Sequence, residues 1–196
     1  MVIITVTITL IIVPKERKKH RQSTNGMTTK IVFISGPLAP PSGYFETHYV
    51  PHLLAAIGAS HKFVVGPAPG IDTMALDFLI SQGVPTASIT VYVAEFQDAE
   101  RCAAELLGCK VRVEGATTGE RDAAMTRDSD YDILRYMTPL EARDFYGDAY
   151  WPRISNTEKN ERRRKELPLH SNPADRASGW GERMTRQIMG KFFFDV

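Results

Sequence analysis

The chain of 196 residues is 43% hydrophobic and 24% charged, which is room for one domain of ordinary size plus tails and the balance of a soluble globular protein. Its formal net charge of +1 is unevenly spread: Lys15 to Arg21 holds five Lys or Arg against one Glu, Glu158 to Glu166 holds five against three, and the remainder has fourteen basic and nineteen acidic residues. A mildly acidic body disfavours a nucleic-acid duplex as main partner, and two cysteines, Cys102 and Cys109, found neither a disulfide scaffold nor a zinc site, so a reducing, cytoplasmic setting is expected.

The opening MVIITVTITLIIV is apolar but shorter than the roughly 20 residues a spanning helix needs. The positive charges follow it, whereas a signal peptide carries them in front. No membrane anchor is expected, and residues 1–27 are set apart as an appendage, either disordered or an added β-strand. The folded part is expected over residues 28–165, with a C-terminal tail over 166–196.

Ile31 to Ile34 has the continuous apolar character of a buried parallel strand and breaks at Ser35-Gly36-Pro37. YFETHYVPHLLAAIGA then reads as helix, with Pro51 a kink or a split. His48 and His52 are four apart, as helical metal ligands would be, but Pro51 intervenes and no third ligand is near, so no metal is expected.

The next stretch, HKFVVGPAPGIDTMALDFLISQG, organises the chain. The apolar Phe63 to Val65 runs into Gly66-Pro67-Ala68-Pro69-Gly70, and then Ile71, Met74, Ala75, Phe78 and Leu79 recur at helical spacing up to Gly83. A strand, a glycine loop and a helix start can hold an anion or a sugar hydroxyl against free N–H groups. An ordinary βα connection has the same pattern. Further on, Ala87 to Val93 reads as strand, Asp98 to Leu107 as helix, Lys110 to Val113 as strand, a helix begins near Thr118, and Tyr131 to Tyr136 reads as a fifth strand. Alternation of this kind predicts an α/β fold: a Rossmann-like three-layer sandwich with a parallel sheet of about five strands and right-handed crossovers. Ligands of such sheets sit beyond the strands' carboxyl ends, which puts Ser35-Gly36 and Gly66 to Asp72 on one crevice. No G-x-G-x-x-G is present, so no dinucleotide cofactor is expected.

GPAPGIDTMA resembles the G-x-A-R-G-x-D-x-x-A signature of the SLOG superfamily, Rossmann-like nucleotide-binding proteins that include the lonely guy phosphoribohydrolases, the DNA-processing A proteins and the molybdenum-cofactor carrier proteins. Both glycines, Asp72 and Ala75 match, while Pro69 stands where many relatives carry arginine. GERDAAMTRDSDYDIL is similar to the E-R-K-x-x-M helix and following strand of the lonely guy family, with Glu120, Arg121 and Met125 matching and Asp122 in place of lysine. Ser155-Asn156-Thr157 resembles a weakened form of that family's P-G-G-x-G-T-x-x-E loop. Asn156 stands at a glycine position and Asn160 at the glutamate. These residue types are also good helix caps, and the basic ERRRKEL after them reads as a solvated face. IVFISGP is similar to the start of nucleoside 2-deoxyribosyltransferases.

The resemblance implies a nucleotide or nucleoside ligand at Ser35, Gly36, Gly66, Gly70, Asp72, Thr73, Ser155, Asn156 and Thr157, with Asp72 accepting from ribose hydroxyls. It also implies N-glycosidic hydrolysis or transfer, in which Glu120 supports an oxocarbenium-like state and Arg121 holds phosphate; Glu95 is a second candidate carboxylate. A homodimer belongs to the same expectation. A non-catalytic nucleotide sensor is the alternative, favoured by Asn160.

Overall fold

The computed structural model describes residues 28–170. The N-terminal appendage and residues 171–196 of the tail lie outside the described residues. The elements follow in the order β1 (Ile31–Ser35), α1 (Tyr44–His48), α2 (Val50–Gly58), β2 (Lys62–Val65), α3 (Ile71–Ser81), β3 (Ile89–Val93), α4 (Asp98–Leu106), β4 (Lys110–Val113), α5 (Thr118–Arg127), β5 (Tyr131–Leu134), α6 (Pro139–Tyr146) and α7 (Asn156–Arg164).

Five parallel strands form one sheet in the order β4-β3-β2-β1-β5. The chain steps outward from β1 to β4 and returns to place β5 on the other side of β1, so the strand order reverses between β1 and β5. A crevice opens at such a reversal because the connections leave to opposite faces. The α/β Rossmann-like sandwich expected from the alternation is the architecture observed, and among the described residues no helix is long and apolar enough to cross a membrane.

Alternation along each strand divides the core. Val32, Ile34, Phe63, Val65, Ile89, Val91, Val93 and Ile133 point to one face and pack with α1 to α4. Phe33, Val64 and Tyr92 point to the other and meet Ala124 and Met125 of α5. α7 lies on this second face, where Arg164 reaches Asp132 and Ser129.

Boundaries moved where pairing or a proline decided them. β5 ends at Leu134 rather than Tyr136, because its partner β1 ends opposite at Ser35. β3 begins at Ile89 rather than Ala87, since Pro85 introduces a 3-10 turn over Thr86–Ser88. The helix with Pro51 is split at Tyr49, and the proline takes the first turn of α2, where no N–H is needed. α6 has no counterpart in the sequence reading. Its signal is Thr138-Pro139 followed by Glu141, a capping box with proline in the first turn.

Candidate functional site

β1 and β2 are parallel neighbours, so the chain leaves the sheet at Ser35 and Gly66 side by side. The loops that follow pack directly on each other. Ile71 N–H donates to the Pro37 carbonyl at 3.1 Å, and Thr73 Oγ1 donates to the Ala68 carbonyl at 2.9 Å, closing the glycine loop. Gly70 has φ +81°, and a Cβ there would stand 2.3 Å from the Leu38 carbonyl oxygen. A Cβ on Gly36 would stand 2.4 Å from Ile71 and 2.5 Å from the Tyr49 hydroxyl. These two glycines thus let the loops touch.

Gly66 does something different. Asp72 rises from the first turn of α3 on one face of the sheet, and Arg121 from the first turn of α5 on the other. They approach each other over the end of β2 only because Gly66 has no side chain: a Cβ there would lie 2.5 Å from Asp72 Oδ2 and 3.5 Å from Arg121 Nη2. Arg121 is buried, with Nε and Nη2 donating to Asp122 Oδ1 at 3.1 and 2.8 Å and Nη1 to Gln97 Oε1 at 2.9 Å. Gln97 Oε1 also accepts from the Ala94 N–H, which fixes it at the end of β3. Burial pushes the Asp72 carboxyl up to about 7, against the opposing pull of Arg121 and with a further push from Asp122. One guanidinium stands between two carboxylates and binds only Asp122, so Asp72 is held well above the ordinary carboxylate range.

The second face brings α7 to the same place. Ser155 Oγ caps the helix by accepting from the Glu158 N–H at 3.0 Å, and Thr157 and Asn160 are buried. Asn160 Nδ2 donates to Ser35 Oγ at 3.1 Å, and its Oδ1 accepts from Arg163, whose Nη2 donates to the Gly119 carbonyl at 3.2 Å. Asn160 therefore stitches α7 to β1, with Arg163 extending the link to α5.

Beside this link stands Lys159. It has no carboxylate within ion-pair distance among the described residues. Burial first, then the charges of Arg163 and Arg153, hold its ammonium below the ordinary value. The carboxylate acting on it, Asp122, is already bound to Arg121. Burial likewise lowers the Arg163 guanidinium.

Of the residues singled out in the sequence, Ser35, Gly66, Asp72 and Arg121 come together at the carboxyl ends of β1 and β2, Gly36 and Gly70 shape the loops there, Thr73 lies in the first turn of α3, and Ser155, Asn156 and Thr157 lie at the start of α7, which Asn160 ties to Ser35. Glu120 faces another way. Its Oε2 accepts from the Ala116 N–H at 2.9 Å, the Thr117 N–H at 3.0 Å and Thr117 Oγ1 at 3.1 Å, the capping box of α5. Glu95 is exposed. The basic helix is no solvated face: Arg162 pairs with Glu158, Arg163 bonds to Asn160 and Gly119, and Arg164 pairs with Asp132. Lys159, Asn160, Arg163 and Gln97 were missed as site residues. The three- and four-residue spacing of Thr157, Asn160 and Arg164 behind a Ser cap was the available sign that this helix packs.

Comparison with known proteins gives no match, whether to family models, to curated proteins or to solved structures.

Proposed function

From this geometry we propose that the crevice binds a phosphorylated nucleoside, with the phosphate at the first turn of α7 and the ribose toward Asp72. The observation that carries the reading is the cationic mouth. Lys159 feels the charges of Arg163 and Arg153, and Asp122, the carboxylate that acts on Lys159 and Arg163, is already bound to Arg121; the N–H groups at the start of α7 favour an anion as well. Asp72, whose carboxyl burial holds well above its ordinary range, can accept from a sugar hydroxyl when ionised or donate to one when protonated. The motifs shared with SLOG proteins support the same ligand class, and the homodimer that the resemblance implies is checked by light scattering of the full chain.

Calorimetry with AMP, adenosine and ADP-ribose tests the reading. The phosphorylated ligands bind and adenosine binds more weakly. Lys159→Gln lowers AMP affinity about tenfold, the size of one lost charge-assisted contact, and leaves adenosine unchanged. Folded protein that binds none of the three at millimolar concentration overturns it.

A second reading, hydrolysis of the N-glycosidic bond, rests on Asp72. Water would add to the anomeric carbon as the bond to the base breaks, its hydroxyl staying on the sugar while its proton passes to Asp72 and from there through solvent to the departing base, which leaves neutral and returns Asp72 to its starting state. Release of free adenine from AMP, followed by chromatography, tests it, and Asp72→Asn must abolish that release. A bound AMP that stays intact leaves a binding module.

A further inference from the structure

Between β5 and α7 the sequence FYGDAYW sets four aromatic side chains, Phe145, Tyr146, Tyr150 and Trp151, within seven positions. None of them joins either apolar cluster of the core. α6, which carries the first two, has no buried residue, and Phe145 is 43% exposed. Aromatic surface gathered outside a core marks a place where a ligand or partner binds.

The segment is fixed against α7 at both ends. At its start the Tyr136 hydroxyl donates to Glu161 Oε2 at 2.9 Å, and Arg135 pairs with Glu141 of α6. At its end it passes directly into the Ser155 cap of α7. Two arginines lie over its rings: the Arg143 guanidinium carbon stands 5.4 Å from the centre of the Tyr150 ring, and that of Arg153 stands 5.6 Å from the centre of the Trp151 ring. Trp151 is half-buried, whereas Arg153 is exposed. Arg153 therefore links the aromatic run to the cationic mouth: it covers Trp151, it stands two residues before the cap of α7, and its charge acts on Lys159.

A guanidinium on an indole is one planar group laid on another, and a nucleobase uses tryptophan in the same way. The base brings more apolar area than the guanidinium and stacks more strongly than an exposed cation holds to a ring. A phosphate nearby offers the displaced arginine a charge-assisted hydrogen bond, which is a better partner than the ring. Because Arg153 is exposed, its side chain can make this exchange without disturbing the core.

We propose that Trp151 is the base platform of the crevice: the purine or pyrimidine ring of a nucleotide stacks on the indole face that Arg153 covers, and Arg153 turns to the phosphate at the first turn of α7. The assignment rests on the proposed phosphate site and adds to it the residue that recognises the base. Stacking reads a π-face rather than a pattern of donors and acceptors, so the platform takes any base and discriminates against a sugar phosphate that has none.

Calorimetry of the full chain with AMP and with ribose 5-phosphate, which share the sugar and the phosphate, tests it. AMP binds about tenfold more tightly than ribose 5-phosphate, the size of one stacked base. AMP also quenches tryptophan emission as it binds, and ribose 5-phosphate does not. Trp151→Leu weakens AMP binding about tenfold, abolishes the quench and leaves ribose 5-phosphate binding as it was, whereas Trp151→Phe keeps most of the preference for AMP. Arg153→Gln weakens both ligands alike. The two ligands and the quench on the parent chain decide the matter even where Trp151→Leu does not fold. Ribose 5-phosphate bound as tightly as AMP overturns the platform and leaves the phosphate site standing, and so does a folded Trp151→Leu chain that binds AMP like the parent. Neither ligand bound at millimolar concentration overturns both.

Discussion

On one face of the sheet, α1 to α4 bury a continuous apolar cluster that takes in Tyr49, Leu53, Ile71, Leu79 and the strand residues beneath them. On the other, α5 adds only Ala124 and Met125 to three strand side chains, and α7 is held by Asn160 to Ser35, Arg163 to Gly119 and Arg164 to Asp132. The first face is non-directional burial, which tolerates small shifts and supplies most of the driving force. The second is directional and charged, so it fixes positions while leaving polar groups at the crevice. The difference separates the part that holds the fold from the part that can meet a ligand.

Substitution should expose that division. Leu79 is fully buried in the apolar cluster, and Leu79→Ala is expected to cost about 2–5 kcal/mol through lost burial and a cavity. Arg164→Ala, on the polar face, is expected to cost about 1–3 kcal/mol, because it strips the largely buried Asp132 and the buried Ser129 of their partner. Urea unfolding of both variants decides. An Arg164→Ala loss larger than that of Leu79→Ala breaks the comparison.

The next effect depends on pH. Asp72 goes from an ordinary 3.8 in the unfolded chain to about 7 in the folded one, so between these values the folded chain keeps a proton that the unfolded chain has lost. Stability is then highest below the unfolded value and falls as pH rises through the window, by at most about 1.4 kcal/mol per pH unit from this group. Asp72→Asn removes that slope. Its advantage over the parent should widen from pH 4 to pH 7, and parallel stability curves for the two proteins would refute the assignment.

These residues also show how far sequence carries. Continuous apolar runs such as Phe63 to Val65 and the helical spacing from Ile71 to Leu79 report burial directly, which is why the sheet and most helices could be read from them. Gly66, Asp72 and Arg121 could be marked as site residues because a strand end, a glycine and a helix start are local patterns. Their meeting across the sheet was not legible. It depends on the return from β4 to β5, which carries α5 to the far face and is a property of strand order rather than of any one segment. Lys159 and Arg163 were hidden for a similar reason: a run of arginines looks solvated until the carboxylates and carbonyls that face it are known.

A smaller perturbation acts at the point where both faces meet. Gly66→Ala introduces a methyl 2.5 Å from Asp72 Oδ2 with ordinary backbone dihedrals, so the strain is side-chain overlap and is expected to cost about 1–3 kcal/mol. The carboxylate can yield only by moving toward Arg121 and Asp122. AMP affinity measured beside stability should therefore fall even at temperatures where the variant remains folded. Unchanged affinity would detach Gly66 from the crevice.

The smallest effect is expected at Glu120, where fold and chemistry make different demands on one carboxylate. As the partner of three donors in the capping box, it fixes the first turn of α5 and, through it, the direction of Arg121. Glu120→Gln keeps an acceptor oxygen but loses the charge that favours a helix start, so a loss of about 0.5–1 kcal/mol is expected. AMP affinity should stay within about twofold, since Arg121 is held independently by Asp122 and Gln97. Support of a developing positive charge at the sugar would require the carboxylate to leave its three donors and turn toward the crevice. Base release falling by orders of magnitude in Glu120→Gln, with this small stability change, would show that it does so. Release unchanged from the parent, or absent in both, leaves Glu120 a cap and, since the other buried carboxylate, Asp122, is bound to Arg121, makes Asp72 the carboxylate to test next.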